Sequence, residues 1–310
     1  MTISEPQPFM GITTFGRQLH TRAIEDADVA IVGIPFDSGT SYRSGTRFGP
    51  RKIREASMLL WGHNVPLAVS PFKMLKVIDY GDVDIIPVDI KKTYHNIESE
   101  VSAILKQNAS VIALGGDHST TLPLLRAHKE KQGPLAVVHF DAHPDTWDRE
   151  FGDEPFSHGT GFRRAIEEGL IDTSAYIQIG IRGPTSGAND LREARALGAR
   201  VITIDQALAL GVDAVLREVH DKTKGKKVYV SFDIDCVDPA FAPGTGTPEV
   251  GGFTSYQALQ MVRGLRSLDL LGFDLVEVSP PYDHSEITSI LASNLVFEFL
   301  SLLALKKNEP

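Results

Sequence analysis

Residues 135–145 read Leu-Ala-Val-Val-His-Phe-Asp-Ala-His-Pro-Asp, a continuous apolar run that breaks abruptly into carboxylates and a second imidazole. A run with no polar face predicts a strand buried on both sides, the mark of a parallel sheet covered by helices. The same reading recurs outward from it. Expected strands cover 28–34, 75–79, 110–114, 135–140, 175–181, 200–204, 227–232 and 270–278, eight in all. Segments of helical spacing separate them at 50–60, 94–106, 123–131, 190–197, 212–221, 255–265 and 286–305. Such alternation predicts an α/β fold with a central, mostly parallel eight-stranded sheet flanked by helices. No linker, repeat or low-complexity block interrupts it, so one domain is expected over 1–310, with 1–27 as an N-terminal arm.

The chain has 310 residues and carries 40 Asp plus Glu against 31 Lys plus Arg, a formal net charge of −9. Excess negative charge repels phosphate backbones and anionic lipid, which removes nucleic acid and membrane surfaces as principal partners. Cys236 is the only cysteine, so an internal disulfide framework and a cysteine-ligated zinc or iron–sulfur site are excluded. Residues 1–8 lack the basic and apolar runs of a leader. The apolar stretch 295–305 is interrupted by Glu298 and is about half the roughly twenty residues that cross a bilayer. A cytoplasmic protein with a small-molecule substrate is the expectation.

In such folds the working residues sit just beyond the carboxyl ends of strands, where side chains can converge. Gly115-Gly116-Asp117-His118 follows one expected strand, Asp141 to Asp145 a second, Asp233-Ile234-Asp235 a third, and Glu277 ends a fourth. Asp141, His143 and Asp145 are spaced by two, so an extended segment projects them to one side; Asp233 and Asp235 repeat that spacing. A lone Asp-x-Asp is ordinarily a turn or a cap, and a lone His ordinarily a hydrogen-bonded structural residue. Their joint occurrence at three strand ends points instead to bound divalent metal, because bare carboxylates so close would repel and lose solvation. Four carboxylates and two imidazoles without a thiolate suit Mn²⁺ first, with Zn²⁺, Co²⁺ or Ni²⁺ as lesser fits. Six ligands are too many for one catalytic ion, whereas two ions roughly 3.5–4 Å apart, sharing carboxylates, would activate water.

These motifs resemble the ureohydrolase family of arginases, agmatinases and related guanidino-compound hydrolases. The resemblance is carried by Gly-Gly-Asp-His at 115–118, Asp-Ala-His-Pro-Asp at 141–145, His-Gly-Thr at 158–160 and Ser-Phe-Asp-Ile-Asp-Cys-Val-Asp-Pro at 231–239. Ala-Pro-Gly-Thr-Gly-Thr-Pro at 242–248 and Asp-Leu-Val-Glu-Val-Ser-Pro at 274–280 extend it, and it runs from about residue 28 to the carboxyl terminus. It implies a three-layer arginase-like fold, a trimeric or hexameric assembly and two Mn²⁺ per subunit. One ion would be held by His118, Asp141, Asp145 and Asp233, the other by Asp141, His143, Asp233 and Asp235, with Asp141 and Asp233 bridging. His139 is assigned a structural role. Glu277 would hold the substrate's guanidinium, His158 would shuttle protons, Asp145 would pass one to the leaving amine, and Thr247 with the Thr245-Gly246 backbone would shape the pocket.

The implied reaction is hydrolysis of a guanidino compound to urea and an amine. The loop 146–157 is acidic and aromatic and lacks the Ser/Asn pattern by which arginases hold an amino acid. That favours agmatine, whose second cation suits acidic side chains; its product is putrescine, which places the chain in polyamine biosynthesis. The alternative is a guanidino acid, namely 4-guanidinobutyrate, 3-guanidinopropionate or a proclavaminate-type substrate, with Arg149, Arg163 and Arg164 as partners for the carboxylate. A non-catalytic binding or regulatory relative is the reading from another class, and a single-zinc deacetylase sharing the fold is a third.

Overall fold

The structure is a computed structural model that describes residues 7–307. Nine strands form one sheet in the order β1-β3-β2-β4-β9-β8-β5-β6-β7, and all neighbouring pairs are parallel. They are β1 (Leu19–His20), β2 (Val29–Gly33), β3 (Val77–Asp82), β4 (Ser110–Leu114), β5 (Leu135–Phe140), β6 (Ile171–Ile181), β7 (Arg200–Thr203), β8 (Lys227–Asp233) and β9 (Asp269–Val276). The sheet thus has one strand more than the periodicity predicts, and it is parallel throughout. The additional strand, β1, lies within the expected N-terminal arm and pairs Leu19 with Ile78 at the sheet edge. Two exposed residues carry no apolar run, so nothing in their pattern announces a strand.

Ten helices cover the two faces: α1 (Gly49–Ser57), α2 (Pro71–Met74), α3 (Ile90–Lys106), α4 (Thr121–Gln132), α5 (Gly161–Glu167), α6 (Asp190–Ala196), α7 (Ile204–Leu210), α8 (Val212–Thr223), α9 (Ser255–Arg263) and α10 (Ile287–Lys307). Alternate strand residues feed opposite layers. Ile31, Ile112, Val138 and Val230 pack with Ile53 of α1, Val215 of α8, Val262 of α9 and the apolar residues of α10. Ala30, Val111, Val137 and Tyr229 pack with Ile97 of α3, Leu125 of α4, Phe162 of α5 and Ala194 of α6.

The apolar segment near the carboxyl terminus is longer than expected. Its helix is long and apolar enough to cross a membrane by length and composition, but 83% of the apolar window is buried inside the fold. A helix that is hydrophobic all round is explained by burial in the core. Glu298 sits within it, 5% exposed, and accepts from Asn64 Nδ2 at 2.8 Å while pairing with Arg263.

The strand order positions the site. From β4 the chain crosses to β5, three places along, and β8 and β9 later fill the gap, so β4, β9, β8 and β5 are side by side at the centre. Their four carboxyl ends therefore open onto one point, the crevice where such sheets bind ligands.

Candidate metal centre and active site

At the end of β4 the backbone crosses very close to its neighbours. Gly115 N donates to Leu275 O at 2.7 Å and Asp117 N to Phe36 O at 2.8 Å. A Cβ on Gly116 would sit 1.7 Å from Phe36 O, so only glycine fits. The chain then turns tightly through His118–Thr120 into α4, with the Asp117 carboxylate accepting from Ser119 N at 3.0 Å and from Gly39 N at 2.8 Å. His118 is thereby driven into the crevice, 1% exposed.

The acidic ends of β5 and β8 share a local device. Asp141 accepts from His143 N at 2.6 Å, and Asp233 accepts from Asp235 N at 2.8 Å. Each is an aspartate bonding the backbone two residues on, which curls the chain. The convergence expected from an extended projection is achieved by these curls: Asp235 lies in a single turn, Ile234–Cys236, and Asp145 has φ +47°. Glu277, just beyond β9, also has a left-handed backbone, φ +63°. Strained conformations at two residues of one crevice fit a site that fixes side-chain direction at the expense of local comfort.

The six expected ligands are brought together. His118 Nδ1 lies 3.0 Å from Asp141 Oδ2, 2.9 Å from Asp145 Oδ2 and 3.2 Å from Asp233 Oδ2. His143 Nδ1 lies 3.0 Å from Asp235 Oδ2 and 3.5 Å from Asp141 Oδ1. Asp141 thus faces both histidines, whereas Asp233, the other expected bridge, comes within ion-pair distance of His118 alone of the two. Asp235 Oδ1 accepts from Ala142 N at 3.1 Å, which ties the β8 end to the β5 end.

A cation fits this arrangement. His118 Nδ1 is buried without a hydrogen bond although three carboxylate oxygens surround it, so the donor set converges without satisfying itself. Among themselves the side chains distribute protons poorly. Burial and Asp141 push Asp145 up to about 6, and burial with Asp235 and Asp141 raises Asp233 well above the usual carboxylate range. Burial disfavours the charged form of both histidines, yet the surrounding aspartates outweigh it and raise His118 and His143 well above the ordinary imidazole value. Clustered acids that hold extra protons, beside imidazoles drawn toward charge, are groups in search of positive charge.

His139 reaches the same cluster, its Nε2 2.7 Å from Asp141 Oδ2, so geometry alone groups it with His118, Asp141 and Asp145 as a possible ligand. Its two nitrogens are already used. Gln178 Nε2 donates to Tyr176 OH at 2.8 Å, whose hydroxyl lies 3.2 Å from His139 Nδ1, leaving Nε2–H to donate to Asp141. Burial lowers His139 to about 4, so it is a neutral donor that orients Asp141, and it stacks on Phe162 at 3.9 Å.

Beside the ligands stand Glu277 and His158. Glu277 Oε1 accepts from His118 N at 3.0 Å and faces His158 Nδ1 at 3.1 Å, while Oε2 is buried without a partner. Gly246 presents bare backbone there: a Cβ on it would lie 3.6 Å from Oε2. His158 Nε2 lies 2.8 Å from Ser41 Oγ and 3.1 Å from Ser41 N. The amide favours a bare nitrogen and the nearer hydroxyl oxygen can accept its proton. Burial works against charge on His158, but Glu277 outweighs it and raises the imidazole to about 9, so the protonated form prevails near neutrality. A narrow cavity of about 50 Å³ adjoins these groups, lined by Ser41, Trp147, Gly159 and Thr247 together with metal-cluster residues. Thr247 Oγ1 is 3.5 Å from Asp235 Oδ2.

A model of the arginase family matches residues 27–301. The chain belongs to the arginase family. It is 46% identical over 303 residues to a guanidinobutyrase of Pseudomonas aeruginosa, covering 97% of this chain and 95% of that protein. It is 42% identical over 294 residues to a mitochondrial agmatinase of Gallus gallus, covering 95% and 86%. Among solved structures, a proclavaminate amidinohydrolase from Streptomyces clavuligerus superimposes with a TM-score of 0.93 at 44% identity, covering 96% of this chain and 99% of that one.

The substrate loop of this arginase-family chain departs from expectation. Arg149 bonds Asp153 O at 3.0 Å, Arg163 bonds Glu167 at 3.0 Å and Arg164 bonds Asp148 at 2.7 Å. The three arginines proposed for a carboxylate are thus each held by a neighbour: Arg149 by a backbone carbonyl, Arg163 by Glu167 of α5 and Arg164 by Asp148 of the loop. Glu150 turns inward to Ser157 Oγ and to Gly159 N at 3.3 Å. Trp147 donates Nε1–H to Asp190 at 2.8 Å and presents its ring to the cavity. Ser41 and Trp147 were not among the expected site residues. For Ser41 the signal was present, since Asp37 to Ser44 is a polar loop after a strand end and falls under the rule that located the metal ligands.

Proposed function

We propose that this chain is a dinuclear manganese hydrolase that cleaves an ω-guanidino acid to urea and an amino acid. The observation that carries the hydrolase reading is the buried, unpartnered Oε2 of Glu277 beside a converging set of four carboxylates and two imidazoles. The donor set, oxygen-rich and without thiolate, supports manganese. When bound, the cations supply the Lewis acidity that makes a nucleophile from water near neutral pH. Glu277 Oε2 accepts N–H from the planar guanidinium and orients its carbon. His158, kept protonated by Glu277, stands ready to return a proton to the leaving amine, which departs poorly as an anion.

Relatives named for both substrates share this chain at 46% and 42% identity, so the choice rests on the mouth of the site. An agmatine ammonium calls for a free carboxylate; in the loop Asp148 pairs with Arg164 at 2.7 Å and Glu150 bonds Ser157 and Gly159, while Asp153 stays exposed, 3.9 Å from Arg149. A carboxylate calls for a free cation. Arg43, two residues beyond cavity-lining Ser41, has no acidic side chain within ion-pair distance among the described residues and lies over the rings of Tyr282 and Tyr42, 4.8 Å and 5.6 Å from their centroids.

Agmatine to putrescine, which the loop's composition favours, becomes the second reading; the net charge of −9 is compatible with attracting its dication but does not choose it over a guanidino acid. Urea release from 4-guanidinobutyrate, 3-guanidinopropionate, agmatine, arginine and guanidine under identical Mn²⁺ loading separates them. The guanidino acids are expected to give the highest kcat/KM. Agmatine leading the panel replaces the substrate assignment, and no turnover of any compound removes the hydrolase reading.

A further inference from the structure

Behind His118, on the side away from the cluster, lies a fully buried hydrogen-bonded chain that no step above uses. His118 Nε2 is 2.9 Å from Ser231 Oγ, Ser231 Oγ donates to Asp274 Oδ1 at 2.6 Å, and Tyr229 OH donates to Asp274 Oδ2 at 2.7 Å. Ser231 and Asp274 are each 0% exposed and Tyr229 is 1% exposed. The sheet builds this arrangement directly. Tyr229 and Ser231 share one face of β8, Ser231 is in register with Asp274 of β9, and β9 lies between β8 and β4, whose end delivers His118. Asp233, two residues after Ser231, continues into the ligand cluster.

We infer that Asp274, acting through Ser231, is a positioning residue that fixes the tautomer of His118 and so prepares one of the two cation sites. The inference rests on the metal-hydrolase reading and adds residues to it. Burial raises Asp274 above the usual carboxylate value while the Ser231 and Tyr229 hydroxyls act to lower it; its two oxygens accept from those hydroxyls at 2.6 and 2.7 Å, so Ser231 turns its proton toward Asp274. Having spent its proton on Asp274, Ser231 can offer His118 only an oxygen, which accepts the Nε2–H. Nδ1, 2.9–3.2 Å from Asp141, Asp145 and Asp233, is then the nitrogen that carries the lone pair toward a cation. If Ser231 donated to His118 instead, the imidazole proton would sit on Nδ1 and block that position. His139 and Phe162 pack edge-on against the His118 ring at 5.0 Å and 5.2 Å, which fixes its plane but not its proton. Ser231 and Asp274 decide the proton.

The role predicts a selective loss. Ser231→Ala removes one oxygen and leaves Nε2–H without an acceptor; Asp274→Asn allows the side chain to donate to Ser231 and reverse the order; Ser231→Thr keeps the hydroxyl. Manganese bound per chain is measured by atomic emission across graded free Mn²⁺, with electron paramagnetic resonance distinguishing coupled pairs from single ions. The unfolding midpoint of the metal-free protein is measured alongside. Wild type is expected to bind two ions. In Ser231→Ala and Asp274→Asn one ion should bind about 10- to 100-fold more weakly while the other is unchanged, so an intermediate Mn²⁺ range yields uncoupled single-ion spectra. Ser231→Thr should restore the pair.

Folded Ser231→Ala binding both ions with wild-type affinity overturns the inference, as does equal weakening of both ions. A lower unfolding midpoint with unchanged metal affinity also overturns it, because that is what a merely structural bond would give. Ser231→Ala, the milder change, decides the matter if Asp274→Asn does not fold. A wild-type chain that binds no Mn²⁺ removes the metal-hydrolase reading itself, an outcome distinct from normal binding by the variants.

Discussion

Asp233 and His158 make opposite predictions because we place one in the proposed cation cluster and the other on the proposed substrate side. Asp233 Oδ2 faces His118 Nδ1 at 3.2 Å while Oδ1 holds the Asp235 backbone, so Asp233→Asn removes charge at the centre and is expected to lower bound manganese together with turnover. Normal metal content in that variant would remove Asp233 from the ligand set. His158 touches Glu277 and Ser41, so His158→Asn should keep both ions and lose about 10²- to 10⁴-fold in rate, the usual worth of a positioned acid or base. Its imidazole is raised to about 9, which means the proton to be delivered is present below that value and lost above it. In wild type kcat/KM should therefore fall as pH rises through about 9, and in His158→Asn this alkaline limb should be absent. A limb that survives the substitution belongs to another group. Arg43 supplies a third test: Arg43→Ala should reduce kcat/KM for 4-guanidinobutyrate roughly 10- to 100-fold, the worth of a charged hydrogen bond, and leave agmatine little changed. Equal losses on both substrates would detach Arg43 from substrate choice.

At the scale of elements, the loop after β4 shows why the ligands converge and which change disperses them. Gly116 O accepts from Glu277 N at 2.9 Å while its α-carbon abuts Phe36 O, so the β4 end is clamped between the loop after β2 and the residue after β9. Gly116→Ala must displace backbone rather than a flexible side chain. It is expected to destabilise the metal-free protein by about 2 kcal/mol or more in denaturant unfolding and to weaken manganese binding with it. Unchanged stability would mean that the loop yields freely. The same clamp explains what could be read from the residues beforehand. Eight of the nine strands were legible as apolar or β-rich runs, and at the carboxyl ends of β4, β5, β8 and β9 the pattern breaks into the residues proposed as ligands and substrate partner. Strand β1, with two exposed residues, and helix α2, with four, are too short to show a repeat, while α5 and α7, of seven residues each, offer fewer than two full turns and were missed although α6, equally short, was read. The curls that aim Asp141 and Asp233, and the pairing of Arg149, Arg163 and Arg164 with acids, depend on backbone conformation and on neighbours far from any motif. Ser231 and Asp274 lay inside quoted motifs; what was invisible was that register places one opposite the other.

For the whole molecule, the net charge of −9 takes on a location. Four aspartates are gathered around one point at the centre of the sheet, at most 6% exposed. Repulsion there is an internal strain that diffuse surface charge does not produce, and two divalent cations would add +4 to give a formal total of −5. Binding to the folded chain alone stabilises it by RT ln(1 + [L]/Kd), about 2.7 kcal/mol per ion at a hundredfold excess over Kd. For a chain of this size that corresponds to roughly 5 °C in unfolding temperature per ion. Micromolar-range Mn²⁺ should therefore raise the thermal unfolding midpoint in steps that saturate, and a chelator should reverse the rise. Sodium chloride is the discriminating control. Screening by monovalent salt relieves repulsion between exposed charges over about 8–10 Å at physiological ionic strength but acts weakly on buried ones. If the excess acidity were only a surface property, salt would reproduce the manganese effect and Asp233→Asn would respond as wild type does. If it is a buried cation site, salt should leave the midpoint nearly unmoved and Asp233→Asn should lose most of the manganese response, even though that substitution itself removes a negative charge and relieves part of the repulsion.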